Sequence, residues 1–336
     1  MRIALDAMGG DHGPSVVVPA AAAVVERQPD LELDLVGLEE AINPALAQHG
    51  LENHPRIAVR AASQVVAADD DVAQAMRNKR DSSLHVANKL AKSGDVEGVV
   101  SAGNTGALMA VSRFILKTLP GIDRPAIATF LPTRDSRVLM LDLGANVDCN
   151  SDHLFQFAVM GEVATRAVYG VEKPSIGLLN IGEENIKGND VVKVAGQLLR
   201  DSQLNYFGNV EGRDIFTGKC DVIVADGFVG NVALKTSEGT AELIAHFLRQ
   251  AFSASWMAKT AAFLASRVLK DFKRRVDHRE YNGAMLLGLN GIVVKSHGSA
   301  DAHAFSKAIE VAASEARNNV NHRITHELQD LLEVAE

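Results

Sequence analysis

Glycine, asparagine and aspartate recur in this chain in a pattern suited to holding an anion. Asp6-Ala-Met-Gly-Gly-Asp11 brings Gly9 and Gly10; Ser101-Ala-Gly-Asn-Thr-Gly106 brings Gly103, Asn104 and Thr105. Asp142-Leu-Gly-Ala-Asn146, Asn180-Ile-Gly-Glu-Glu184 and Asp226-Gly-Phe-Val-Gly-Asn231 follow, contributing Gly182, Glu183 and Gly227. Glycine permits close backbone approach. A helix opening after such a turn offers unpaired N–H groups beside the positive end of its dipole. One turn of this kind reads as an ordinary capped connection. Five in one chain predict a site rich in backbone donors and sized for phosphate.

Cations stand near two of these segments. Lys187 lies in Asn185-Ile-Lys-Gly188-Asn189, where it could pair with Glu183 or Glu184, meet a bound anion, or simply be solvated. Arg77-Asn-Lys79-Arg80-Asp81-Ser82-Ser83 reads either as a phosphate clamp or as an exposed basic turn with a serine cap. His12 and His297 sit in turns, and His297 follows the strand-like Gly291–Lys295, a fair place for an acid–base group. Gly-x-Ser-x-Gly, a Walker A lysine and a clean Gly-x-Gly-x-x-Gly after the first strand are all missing. That weakens hydrolase, nucleotide-hydrolase and dinucleotide-binding readings.

Each glycine turn follows a short apolar run. Strands are expected at Arg2–Ala7, Leu31–Val36, Arg56–Val59, Val96–Ser101, Ala126–Leu131, Arg137–Asp142, Ser175–Asn180, Cys220–Ala225 and Gly291–Lys295. Helical patterns separate most of them. Pro14 opens one, Thr105–Leu119 ends at Pro120-Gly121, and Ser151–Tyr169 and Asp190–Arg200 follow. The alternation predicts an α/β fold: one mostly parallel sheet with helices on both faces, and the five turns gathered at one edge. No linker rich in Pro, Gly or Ser divides the 336 residues, so one domain is expected.

Composition narrows the partners. A net charge of -8 and 5% aromatic residues disfavour nucleic acid. Cys149 and Cys220 lack metal-ligand spacing, and the pair fits a reducing cytosol. The start of the chain lacks a signal-peptide pattern, and no run is long and apolar enough to span a membrane. Residues 229–276 break the rhythm with helix and no strand. Ile244, Phe247, Leu248, Ala251 and Phe252 share one face; Leu264, Ala265, Val268, Leu269 and Phe272 share another. Trp256 and Met257 mark the bend, and Arg267, Lys270, Lys273, Arg274 and Arg275 follow. This projecting helical hairpin reads as a dimerisation surface, with an added contact to anionic membrane as the sharper reading.

In order along nearly the whole chain, these motifs resemble the PlsX family of phosphate acyltransferases. The likeness rests on Asp6–Asp11, Lys79 with Ser82 and Ser83, and Ser101–Ala107. It continues through Asp142–Asn146, Gly177–Glu184 with Lys187-Gly188, Ala225–Asn231 with Lys235, Leu286-Leu-Gly288 and His297-Gly298. Tyr281-Asn-Gly-Ala-Met285 departs from it, because the family more often shows paired glycines and a proline there. The resemblance implies a fold related to phosphotransacetylases and isocitrate-dehydrogenase-like enzymes. It implies acyl transfer from acyl carrier protein to inorganic phosphate, giving acyl phosphate for phospholipid synthesis by a downstream glycerol-phosphate acyltransferase. A cytoplasmic homodimer in peripheral contact with membrane is implied as well.

The residues suit that chemistry. Phosphate carries its own nucleophilic oxygen, so the site needs an anion cradle, oxyanion donors and help for a departing thiolate. The glycine turns, Asn104, Asn146, Asn180 and Asn231 fit the first two tasks. Lys187 or Lys79 could offset phosphate charge, and His297 could polarise the thioester or protonate the thiol. No cofactor and no metal is required, although Asp6, Asp11, Asp142, Asp226 and Glu183 leave magnesium conceivable. Two other classes stay open at this point: a nicotinamide-dependent oxidoreductase on the same sheet, and a non-catalytic carrier-protein or lipid-binding scaffold.

Overall fold

The computed structural model describes residues 1–333, without the side chains of 271, 273–276, 278 and 330–333. Part of the basic run, Lys273, Arg274 and Arg275, therefore lies outside the described residues. The strands are β1 (Arg2–Asp6), β2 (Glu32–Gly37), β3 (Ile57–Ala61), β4 (Gly98–Ser101), β5 (Ala126–Pro132) and β6 (Arg137–Leu141). Then come β7 (Ile176–Leu179), β8 (Tyr206–Val210), β9 (Val222–Val224), β10 (Ala284–Leu287) and β11 (Ile292–Lys295). They form one 11-stranded sheet in the order β3-β2-β1-β4-β11-β10-β5-β6-β9-β7-β8.

Helices cover both faces, as the alternation predicts. On one face, α4 (Ser83–Ser93) and α5 (Thr105–Leu116) pack on β4, β5 and β10, with Leu84, Leu108 and Val111 buried against Val99, Ile127 and Leu286. The start of α8 (Gly227–Ser253) lies on this face through Ala233 and Leu234. On the other face, α1 (Pro14–Arg27) and α11 (Ala302–Arg317) cover β1 and β11. There α6 (Ser151–Tyr169), α7 (Asp190–Asp201) and α12 (Val320–Glu333) cover β6, β7 and β9. Two shorter helices, α2 (Glu39–Gln48) and α3 (Val72–Asn78), flank the N-terminal strands. The caps follow from sequence: Ser82, Asn104, Asn150, Asn189 and Asp226 each accept a backbone N–H at the start of the helix that follows.

One expectation is corrected. The chain has three antiparallel ladders between β11 and β6: β11 with β10, β10 with β5, and β5 with β6. Three reversals invert direction. Strands β1, β2, β3, β4 and β11 therefore run one way, and β6, β7, β8 and β9 run the other. The Asp6 and Ser101 turns leave one edge of the sheet, and the Asp142, Asn180 and Asp226 turns leave the opposite edge.

Beyond Asp226 the chain makes α8, α9 (Trp256–Leu264) and α10 (Ser266–Val276). Within α8 only Gly227 and Gly230 are buried, and α9 buries nothing. The sequence pattern predicts one bend, and the structure adds a second break at Ala265, between α9 and α10.

Candidate functional site

Three turns interlock at the first edge. The register sets Asp6 of β1 beside Ser101 of β4, and Ser101 beside Lys295 of β11. Asp6 is buried, and its carboxylate accepts from Ser101 Oγ at 2.6 Å and from the Met8 N–H at 3.3 Å. Ser83, at the start of α4, also hydrogen-bonds to it. Burial pushes the Asp6 carboxyl upward, against these donors. Ser101 Oγ in turn accepts the Gly103 N–H at 3.0 Å. A Cβ on Gly9 would stand 2.7 Å from Gly103 N and 2.8 Å from Asp6 Oδ2, so only glycine fits. Gly10 has φ +83, with the Gly298 carbonyl 2.8 Å from its missing Cβ, and Asp11 donates its N–H to that same carbonyl at 2.9 Å.

Lys295 is the charge that sequence reasoning missed. Its ammonium donates to the Ala102 carbonyl at 3.2 Å and to the Ser296 carbonyl, tying the second turn to the third. Its pKa is lowered to about 8, chiefly by burial and also by Lys235, against the opposing pull of Asp6 and Asp11. Lys235 belongs to α8, which starts at the far edge, so α8 crosses back toward this site. Lys295 ends the run Ile292-Val-Val-Lys295, and the only signal in the sequence was a lysine directly after buried strand residues.

His297 belongs to the same turn. Its backbone N–H donates to Asn282 Oδ1 at 3.0 Å, and its exposed ring meets Ser299 Oγ at 2.9 Å. Asn104 caps α5 through Ala107 N at 3.0 Å, and its amide donates to the Ala68 carbonyl at 2.7 Å. Beside that cap Thr105 and Gly106 are exposed at the helix start. Ser82 caps α4 and contacts His85 Nδ1 at 2.9 Å. Lys79 is ion-paired with Asp70.

The opposite edge carries two further groups. Asp142 Oδ1 accepts from Ile127 N and Ala145 N, both at 3.0 Å. Its Oδ2 accepts from Asn146 N at 2.7 Å and Asn146 Nδ2 at 2.9 Å. Gly227 lies so close that a Cβ would meet the Asn146 carbonyl at 2.6 Å, and Asn231 packs beside Gly144. Asp226 caps α8 through Val229 N. In the second group, Asn180 closes its own loop, accepting from Ile181 N at 2.8 Å and donating to the Lys187 carbonyl at 3.2 Å. Gly188, at φ +87, sits under the Asn180 amide, and the Lys187 stem packs on Gly182. The sequence left Glu183 as a partner for Lys187; it pairs with Lys219 at 2.8 Å, and Lys187 stays exposed.

Neither cysteine is set up as a nucleophile. Burial pushes Cys149 to about 11 and Cys220 to about 12. Among the described residues, no group of three or more His, Cys, Asp or Glu is placed to hold a metal ion.

A mostly parallel α/β sheet with glycine turns and a half-buried lysine at one strand edge places the fold with that of the phosphotransacetylases. The model of the family described as "Fatty acid synthesis protein" matches residues 1–323. A phosphate acyltransferase of Alkalilimnicola ehrlichii is 57% identical over 336 residues, covering 100% of this chain and 98% of that one. A second, from Paraburkholderia phytofirmans, is 56% identical over 330 residues, with 98% and 90% covered. A phosphotransacetylase from Streptococcus pyogenes superposes with TM-score 0.64 at 19% identity, over 94% of each chain. A branched-chain phosphotransacylase from Enterococcus faecalis gives 0.59 at 14% identity, over 94% of this chain and 99% of that one. The chain belongs to the PlsX family, the phosphate acyltransferases.

Proposed function

We propose that this protein moves a long-chain acyl group from acyl carrier protein to inorganic phosphate, and that the chemistry sits at the edge formed by Asp6, Ser101, Lys295 and the start of α5. The observation that carries this placement is the interlocking of three glycine turns around a partly buried lysine. Family membership supports an acyl transfer. A phosphate oxygen attacks the thioester carbonyl, the C–S bond breaks, and the thiolate leaves and takes up a proton. The exposed N–H groups of Thr105 and Gly106 suit a phosphate or an oxyanion. Lys295, charged below about pH 8, offsets the negative charge, and His297 stands at the rim as the proton donor to the thiol. Lys187 is exposed on the loop of the opposite edge, and its part in the reaction is left to the substitution that tests it.

The 229–276 segment acts as the dimerisation and membrane-proximal part of a single domain. Leu243, Ile244 and Phe247 are more than half exposed on α8, and Trp256 and Phe263 are 77% and 78% exposed on α9. Apolar surface of that extent calls for a cover. A second copy supplies it along α8, and an anionic membrane supplies it at the α9 tip, beside Arg267 and Lys270. No helix among the described residues is long and apolar enough to cross a membrane. The acyl phosphate product would pass to a glycerol-phosphate acyltransferase in phospholipid synthesis.

The decisive assay incubates purified protein with palmitoyl-acyl carrier protein and phosphate. The expected products are free carrier thiol and a hydroxylamine-trappable acyl phosphate in equal amounts. Thiol release without trappable product, or neither, would refute the reading.

A further inference from the structure

A recess of about 500 Å³ opens between α6 and α11, on the face away from α5 and α8. That is the size of a small-molecule pocket. Phe130, Val168, Met285 and Val311 supply its apolar wall, and polar and charged side chains line the rest. Glu315 lines it from α11 at 2% exposure, and its Oε1 has no hydrogen-bond partner. Buried polar atoms rarely go unpartnered. Burial alone pushes this carboxyl to about 8, so at neutral pH it carries a proton and can donate.

The charges around the recess are unequal in their pairing. Lys307 lies 3.5 Å from Glu280 and 3.2 Å from Glu310. Glu280 also holds His303 at 2.7 Å, and Glu310 holds Arg27 at 2.8 Å. Those acids and bases compensate one another. Arg137 differs: its guanidinium lies over the rings of Tyr169 and Tyr281, at 5.5 and 5.7 Å, and donates to Tyr169 Oη at 2.6 Å. No carboxylate pairs with it among the described residues.

We infer that this recess binds a small organic acid, with its carboxylate on Arg137, an apolar or aromatic body along Phe130 and Val311, and a second polar atom at the Glu315 carboxyl. A guanidinium held by two rings is pre-organised for a carboxylate. A neutral ligand leaves Arg137 uncompensated, and a cation is repelled by it. The recess meets the acyl-transfer edge at Asn282, which lines it and accepts the His297 N–H, but Arg137, Val311 and Glu315 have no part in that edge and the proposal does not depend on that assignment.

Isothermal titration and ligand-observed NMR with 4-hydroxybenzoate test the inference, with 4-hydroxybenzamide as the uncharged control. The full chain is expected to bind the acid saturably at one site per chain, and the amide at least tenfold more weakly. Arg137→Met should bring the acid down to the level of the amide, and Val311→Trp, which fills the recess, should abolish both. Acyl transfer assayed without the probe should stay unchanged in both variants, which shows that they fold. Absence of saturable binding to the full chain overturns the proposal. So does binding that survives both substitutions, because the probe then sits elsewhere.

Discussion

Asp6 and Asp142 occupy equivalent places in sequence, each closing an apolar strand and opening a glycine turn, yet the structure uses them differently. Both are buried and both carboxyls are pushed upward by burial. The Asp142 carboxylate takes its hydrogen bonds from the turn it holds and the neighbouring strand: three backbone N–H groups and the Asn146 amide. It is the peg on which the turn is built. Asp6 keeps the Met8 N–H but takes its shortest hydrogen bond from a hydroxyl of another strand, Ser101, with Ser83 beside it, and shares its edge with a half-buried ammonium. A carboxylate saturated by rigid N–H groups holds shape. One held by rotatable hydroxyls beside a titrating lysine can respond to a bound anion.

The sharpest way to break this comparison is to remove each acid. Asp142→Ala should be the larger lesion in stability. It leaves buried N–H groups without acceptors and costs at least about 3 kcal/mol, given roughly 1–3 kcal/mol for each unpaired buried group. Chemical denaturation should show the drop. Asp6→Asn keeps an acceptor for Ser101 and should cost only about 1 kcal/mol, while lowering turnover strongly. Equal stability losses in the two variants would erase the distinction.

Lys295→Met comes next, with an expected loss of about a hundredfold in acyl transfer, the scale for removing one pre-organised electrostatic contact. In the wild type, the apparent KM for phosphate should rise as pH climbs through about 8, where Lys295 loses its charge. Lys295→Arg should keep a flat KM across that range. Stability carries the same signature. The folded pKa is lowered from 10.5 to about 8, so between those values the unfolded chain binds more protons. This residue therefore makes stability increase with pH in that window, and the increment should be missing from Lys295→Met. Identical pH profiles for the two proteins would remove Lys295 from the site.

Much of the frame was legible because alternating apolar runs and glycine turns report buried strands directly. Nine strands were readable, and β8 and β10 were not. Tyr206–Val210 is interrupted by Gly208 at φ +125 and by Asn209, which hides the apolar pattern. Ala284–Leu287 is four residues long and follows Gly283. Missing β10 had a large consequence, since it supplies two of the three reversals that send the Asp142, Asn180 and Asp226 turns to the far edge. The first-edge residues were legible as types: Asp6, Gly9, Gly10, Ser101 and Gly103 do meet. Lys295 was not, because nothing local says that the Ala102 and Ser296 carbonyls close over its ammonium. Asn104 and Asn180 were read as donors to substrate, and the structure engages both amides within the chain, Asn104 with the Ala68 carbonyl and Asn180 with that of Lys187.

Lys187 gives a cleaner contrast with Lys295. It is exposed, so Lys187→Ala should leave thermal stability unchanged while slowing acyl transfer about tenfold. A wild-type rate would return Lys187 to the solvated surface and confine the chemistry to the first edge.

Asn104 should show the smallest effect and sharpens the comparison most finely. Its Oδ1 caps α5, and its Nδ2 pins the Ala68 carbonyl, so both ends of the amide are engaged. Asn104→Ala removes the cap and should cost about 1 kcal/mol in stability. Asn104→Ser restores a capping oxygen and gives up only the tie to Ala68. If Asn104 acts by holding the start of α5 in place, the serine variant should recover most of both stability and turnover. If its amide touches the transferring group, serine should recover stability alone, and turnover should remain as low as in the alanine variant. Measuring melting temperature and kcat in the two proteins separates these outcomes. The second result would promote Asn104 from a cap to a catalytic residue at the same edge as Asp6.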